Sequence, residues 1–213
     1  MNPARRLYDI SQPLSPALPV WPGDAAFRAE ATWSHGPGCP VAVSRLTLSS
    51  HSGTHADAPL HYDPAGAGAG GLDLGPYLGP ARLVDLAGHQ GPVKPQHVAH
   101  ALAPGVTRLL LRTYRRFPHQ AWDSAFAPVA ADTIRLLAAH GVVLIGVDAP
   151  SLDPEDSKTL DAHRAVRDAG LRILEGLVLD DVPAGDYELI ALPLKLVGID
   201  ASPVRAVLRS LAP

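Results

Sequence analysis

The chain has 213 residues, 46% of them hydrophobic and 18% charged, with a formal net charge of −3. That length favours a single domain with a core large enough to fold without staples, and the composition excludes a disordered chain. No basic stripe marks a nucleic-acid partner, and the single cysteine, Cys39, excludes an internal disulfide and a thiolate zinc cluster.

At the N-terminus, Arg5 and Arg6 precede the polar, turn-rich stretch 8–13 rather than an apolar segment, so no signal peptide is read. No apolar run approaches the roughly 20 residues that span a bilayer. The expectation is a soluble, cytoplasmic protein with no membrane contact. The 22 prolines and 19 glycines predict many short elements joined by tight turns. The opening segment, through Val20-Trp21-Pro22-Gly23-Asp24, reads as an extended arm ending in a turn. Residues 41–48 alternate as a strand, 65–71 read as a flexible loop of alanine and glycine, and 82–86 read as a strand. Residues 95–103 suggest a short helix and 108–112 a buried strand. Asp132 is placed to cap a helix over 132–140 that Gly141 stops, and the apolar run 142–147 suits the centre of a covered sheet. Residues 157–168 read as a helix ending at Gly170, followed by strand candidates at 171–174, 177–179 and 188–192 and a closing helix or turn over 203–211. Alternating strands and helices predict the α/β class, with one domain over residues 1–213 and no repeat or linker to divide it.

Chemistry concentrates in eleven residues, His51-Ser52-Gly53-Thr54-His55-Ala56-Asp57-Ala58-Pro59-Leu60-His61, which hold three of the ten histidines. Imidazole and carboxylate are the ligands that a borderline-soft divalent cation such as zinc selects. On a straight strand His51, His55 and Asp57 share a face, but four residues at about 3.3 Å each put the two histidines roughly 13 Å apart. A plain helix lets the imidazoles meet but swings Asp57 about 240° away. The chain must therefore bend, and Gly53 and Pro59 mark where. A turn at the end of the strand is predicted to aim these side chains at one point. For any one histidine the plain alternative is a polar cap on backbone groups. His35, His89, His97, His100, His119 and His140 are read that way, on loops and helix surfaces.

Glu175 interrupts an apolar run, which is costly unless the charge is paired or on a metal. Its candidate partners are Arg172 or Arg164, or a cation shared with His163, which lies twelve residues earlier on the preceding helix. Trp21 offers a flat apolar surface, stiffened by neighbouring prolines, that suits either core packing or an aryl ring.

The segment HSGTHADAPLH fits the pattern H-x-G-T-H-x-D-A-P-x-H. Together with Val20-Trp21-Pro22-Gly23-Asp24, the stretch Gly146 to Asp153, His163, Leu174-Glu175-Gly176 and Ala201 to Ala206, it resembles the cyclase-like metal-dependent hydrolases. Within them the chain is similar over essentially its whole length to the bacterial kynurenine formamidases (arylformamidases). The resemblance implies a swivelling β/β/α-type fold, with a mixed central sheet flanked by helices, a homodimer and two zinc ions per subunit. His51, His55 and Asp57 would hold the first ion, Asp57 would bridge, and His163 and Glu175 would complete the second. His61 would be the catalytic acid/base, with a further metal ligand as the alternative, and Trp21 would contact substrate. The implied reaction is hydrolysis of N-formyl-L-kynurenine to L-kynurenine and formate in tryptophan degradation. Opening of the isatin lactam by a member of the same superfamily is the alternative, and a metal that only holds the fold is the non-enzymatic one.

Overall fold

The computed structural model describes residues 5–211. Strand β1 (Leu7–Asp9) leads to a hairpin of β2 (Arg28–Trp33) and β3 (Val43–Thr47), then to β4 (His55–Asp57), β5 (Leu78–Asp85) and a short α1 (Pro95–Val98). The rest of the chain runs β6 (Arg108–Arg112), α2 (Ala131–Ala139), β7 (Leu144–Val147), α3 (Asp161–Ala169), β8 (Arg172–Glu175), β9 (Gly185–Ile190), β10 (Ala201–Pro203) and β11 (Val207–Ser210). Among the described residues, nine strands form one mixed sheet in the order β1-β11-β9-β5-β6-β7-β8-β4-β10. Its middle, β5 to β8, is parallel, and the pairs on either side are antiparallel. This is the α/β class, with the mixed sheet expected from the sequence.

β6 and β7 are apolar at successive positions because both faces of the sheet are covered. On one face Leu109, Leu111, Ile145 and Val147 pack with Ile134 and Leu137 of α2 and Val166 of α3. On the other, Leu110, Leu144 and Leu174 meet Tyr77, Leu177, Leu189 and Leu208, so the curled sheet supplies its own cover from β9, β11 and the connecting segments. No helix among the described residues is long and apolar enough to cross a membrane.

Several local expectations need correction. The segment 203–211 is neither helix nor turn. Its β11 pairs antiparallel with β1 and β9, long-range ladders that local spacing does not contain. The arm at the N-terminus accordingly includes a strand. The helix expected from Ser157 starts at Asp161, because Leu160 adopts a left-handed conformation (φ 50°, ψ 53°); Gly170 ends it at φ 70° as expected. Asp132 does not cap α2. Ala130 holds that position, and Asp132 lies in the first turn, paired with Arg135. Residues 177–179 join no ladder, although Leu177 and Val178 donate to Val147 O (3.0 Å) and Ile10 O (2.9 Å). The stretch 65–71 is packed rather than loose. Ala69 N donates to Ile199 O at 2.8 Å and Gly70 N to Leu196 O at 2.7 Å. A Cβ on Gly66 would fall 2.5 Å from the Pro59 carbonyl carbon, so this approach requires glycine.

Candidate metal centre

The centre is built on β4, which lies between β8 and β10. Its three residues alternate as a strand must. Ala56 faces the core formed with Leu174, while His55 and Asp57 face the opposite side, towards α3. Antiparallel register sets His55 directly across from Glu175. Such partners bring their Cβ atoms to about 5 Å, which is how residues 120 positions apart in the chain become neighbours. His163 arrives from α3. His51 comes from the turn before β4, so the predicted bend precedes the strand.

Two glycines make that turn possible. Gly53 and Gly176 both have φ of 65°, a left-handed conformation that strains residues with a Cβ. They lie face to face: a Cβ on Gly176 would stand 2.8 Å from Gly53 O and 2.5 Å from Gln12 Nε2. The Thr54 hydroxyl donates to Gly176 O at 2.6 Å, tying the histidine turn to the end of β8. Gly176→Ala is expected to destabilise the protein by about 1–3 kcal/mol through backbone strain and crowding. Thermal denaturation would read this as a Tm lower by at least about 2 °C.

The five side chains assigned to metal by resemblance converge. His51 Nδ1 lies 3.2 Å from Asp57 Oδ1, and His55 Nε2 lies 3.4 Å from both Asp57 Oδ1 and Glu175 Oε2. His163 Nε2 lies 3.3 Å from Asp57 Oδ2 and 3.6 Å from Glu175 Oε1. Glu175 pairs with neither of its candidate arginines. Its Oε1 accepts the Leu152 N–H at 2.8 Å, while Arg172 donates to Gly170 O and Leu171 O. Asp57 is fully buried, and His55, His163 and Glu175 are each no more than 3% exposed.

These atoms fit a divalent cation better than they fit one another. His55 Nε2, His163 Nε2 and both Asp57 oxygens are buried with no hydrogen-bond partner, a costly state unless something else engages them. Two ligands at about 2.1 Å from a tetrahedral ion stand roughly 3.4 Å apart, and the spacings above match that. The outer nitrogens are all engaged: His55 Nδ1 on Gly53 O (2.9 Å), His163 Nδ1 on Asp153 Oδ2 (2.6 Å) and His51 Nε2 on Asp200 Oδ2 (2.9 Å). An N–H held outward leaves the inner nitrogen free to ligate. Two groups of possible ligands, His51-Asp57-His61 and His55-Asp57-Glu175, meet at Asp57.

Electrostatics follow from this crowding. Burial opposes the charge on His55 and His163, but Asp57 with Glu175, and for His163 also Asp153, outweigh it and push both pKa values up to about 10. Burial likewise opposes the Asp57 carboxylate, yet the surrounding His163, His51 and His55 rings hold its pKa well below the usual range. His61 goes the other way. Burial, with the nearby His51 and His163, lowers its pKa against the pull of Asp57.

A cavity of about 370 Å³ opens onto the histidines. Trp21 and Trp122 line it, edge to face at 5.3 Å, whereas Trp33 is 61% exposed on the hairpin. Trp21 therefore both packs and borders the cavity. Position in the fold separates three tryptophans that residue type does not. Asp153, Asp200 and Trp122 are site residues that sequence reasoning did not single out. Asp153 sits in the Gly146 to Asp153 motif, ten positions before His163, which is a signal of a kind. Asp200 and Trp122 carry none, since only tertiary packing brings them here.

The model of the putative cyclase family matches residues 8–154. A potential metal-dependent hydrolase with cyclase activity is 33% identical, with a TM-score of 0.84 over 99% of this chain and 100% of its own. A predicted metal-dependent hydrolase from Bacillus stearothermophilus is 31% identical, with a TM-score of 0.84 over 98% of this chain and 100% of its own. Isatin hydrolase A from Labrenzia aggregata has the same fold, with a TM-score of 0.83 and 24% identity over 97% of this chain and 94% of its own.

Proposed function

Because this chain belongs to the putative cyclase family, whose similar structures include metal-dependent hydrolases, we propose that it cleaves aryl formamides, with N-formyl-L-kynurenine hydrolysed to L-kynurenine and formate. The observation carrying this reading is the set of buried, unpartnered nitrogens and carboxylate oxygens around Asp57 at the end of an aromatic cavity. In this proposal His51, His55 and Asp57 would hold one divalent cation such as zinc, and His163 and Glu175 would hold a second, with Asp57 able to serve both because a carboxylate has two oxygens to offer. A bound divalent cation lowers the pKa of water from 15.7 to about 7 and polarises a carbonyl oxygen. Burial disfavours the charged form of His61, the direction a general base requires. His61 accepts the proton lost from water as oxygen joins the formyl carbon, then delivers it to the aryl nitrogen as the C–N bond breaks. Trp21 and Trp122 provide flat apolar surface for the aryl ring. The homodimer and the cytoplasmic location expected from the sequence belong to the same proposal.

Asp153 takes part through His163. Its carboxylate accepts the Ala162 and His163 backbone N–H groups at 2.9 and 3.0 Å and the His163 ring at 2.6 Å. Partners of this kind are worth about 10–100-fold in metal affinity. Asp153→Asn is expected to weaken zinc binding by that factor, read by calorimetric titration of chelator-treated protein.

A second reading is lactam opening. The isatin hydrolase similarity spans nearly the whole chain, and a fused planar ring also suits the paired tryptophans. Formate release from N-formyl-L-kynurenine and ring opening of isatin, measured on the same sample, test both. The formamidase reading expects the larger kcat/KM for the formyl anilide, with turnover lost on chelation and regained with zinc. A larger kcat/KM for isatin selects the second reading.

A further inference from the structure

Asp200, just ahead of β10, is not among the proposed ligands, yet it reaches two of the site's histidines. Its Oδ2 accepts from His51 Nε2 at 2.9 Å and faces His61 Nδ1 at 3.7 Å. Its Oδ1 accepts the Ser50 hydroxyl at 2.8 Å. The His51 and His61 rings lie 4.3 Å apart, tilted by 51°, so a single carboxylate oxygen stands before both. Resting on the reading of this centre as hydrolytic with His61 as its acid/base, we infer that Asp200 is a positioning residue that holds the His51 ring with Nδ1 turned inward and decides which ring nitrogen of His61 carries the proton.

The physical reason is tautomer selection. A neutral imidazole has one N–H, and a carboxylate beside one nitrogen draws the proton there. On His51 this leaves Nδ1, which faces Asp57 Oδ1 at 3.2 Å, as the free nitrogen. On His61 it places the hydrogen on Nδ1 and leaves Nε2 as the base. A carboxylate oxygen has two acceptor sites, so it can bond His51 and still face His61. The His61 distance is long for a hydrogen bond, as catalytic bonds often are before substrate binds.

The loop bearing Asp200 is held from both sides. Ala58 N, next after β4, donates to Asp200 O at 2.9 Å, and Ala69 N donates to Ile199 O at 2.8 Å. Gly68 lies against the same loop. A Cβ there would fall 3.0 Å from Ile199 O and 3.1 Å from Ile199 N. Its backbone (φ −76°, ψ 170°) is open to alanine, so the only obstacle to a methyl group is the loop itself. Gly68→Ala therefore presses on the backbone next to Asp200, by a few tenths of an ångström, without touching a histidine.

Ring-nitrogen NMR and steady-state kinetics on the wild type, Asp200→Ala, Gly68→Ala and the double variant, all with zinc supplied, test this. The Asp200 side chain is 42% exposed, so its loss leaves the core intact, and Asp200→Asn serves as a second variant that keeps the shape without the charge. In the wild type His61 should be protonated at Nδ1, and this preference should weaken in Asp200→Ala and Asp200→Asn, while His51, whose Nδ1 is taken by the metal, should stay protonated at Nε2 in every variant. For formate release kcat should fall about 10–100-fold in Asp200→Ala, with KM moving less than about twofold. Gly68→Ala should fall in the same direction, and the double variant should be no slower than Asp200→Ala. Identical His61 tautomers in wild type and Asp200→Ala, or a double variant showing the product of both losses, would overturn the inference. A wild type that releases no formate would instead sink the hydrolase reading, while the NMR comparison, which needs no substrate, still decides the role of Asp200.

Discussion

His61→Ala is expected to lower kcat by about 10²–10⁴-fold, the usual weight of a general acid–base group, while bound metal stays at the wild-type level. Geometry leaves two roles for this side chain, and the experiment separates them. His61 belongs to a possible ligand group with His51 and Asp57, so as a ligand its removal would strip an ion. Several observations favour the proton relay. Its side chain is 32% exposed, against 4% for His55 and 2% for His163, so it can meet substrate and solvent. It follows Pro59 in a single turn of 3-10 helix beyond β4, outside the strand that carries the buried pair. Its pKa is lowered, chiefly by burial, whereas those of the histidines beside Asp57 are raised. Metal analysis of purified His61→Ala alongside formate release checks this, and an ion lost together with activity would assign the residue to the ligands.

Chelator-treated protein should lose thermal stability as pH rises from about 6.5 to 10, whereas zinc-loaded protein should not. The metal-free site holds buried carboxylates against histidines with pKa values near 10. A raised histidine pKa stabilises the fold fully below the unfolded value of 6.5, and that contribution disappears as pH climbs through the folded value. Asp57 has the opposite sign. Its lowered pKa stabilises the fold above the unfolded value of 3.8 and fails only as pH falls towards the folded one. The metal-free protein should therefore be most stable between about pH 4 and 6.5. Each unit of such a shift is about 1.4 kcal/mol, and 1 kcal/mol moves Tm by about 2–4 °C in a chain of this size. A fall of more than about 4 °C across the alkaline window is expected. A bound cation takes the place of those protons, and its affinity grows as the imidazoles become neutral, so the loaded protein should hold or gain stability there. Melting curves at pH 6.5 and 9.5, with chelator and with zinc, make the comparison.

The part of the site closest in sequence was the most legible. Histidines and an aspartate clustered within eleven residues announce a ligand set, and the distance argument against a flat strand correctly demands a bend. The bend lies at Gly53, one of the two positions the sequence marks, and coordinates add that His55 and Asp57 then share one face of a real strand. β6 was legible to the residue because it is buried throughout and reads as an unbroken apolar run between two arginines. β2 is a different case: Arg28 to Trp33 alternates polar and apolar residues, but all of them are exposed and the apolar face packs on no core. The edges of the sheet were obscure for a different reason. The edge strand β1 exists because it pairs with β11, which itself pairs with β9, contacts between distant parts of the chain that no segment encodes alone. Asp200 was hidden in the same way, since it reaches His51 through the pairing of β10 with β4. The alanine-glycine stretch was misread because missing side chains resemble freedom. Here they let one backbone lie against another.

Anomalous diffraction at the zinc edge, from crystals of active protein, tests the central claim most directly. Two peaks about 3.5–4 Å apart are expected, one beside His51 and His55, the other beside His163 and Glu175, with an Asp57 oxygen reaching each. Fully active crystals with no anomalous peak within about 3 Å of Asp57 would contradict it.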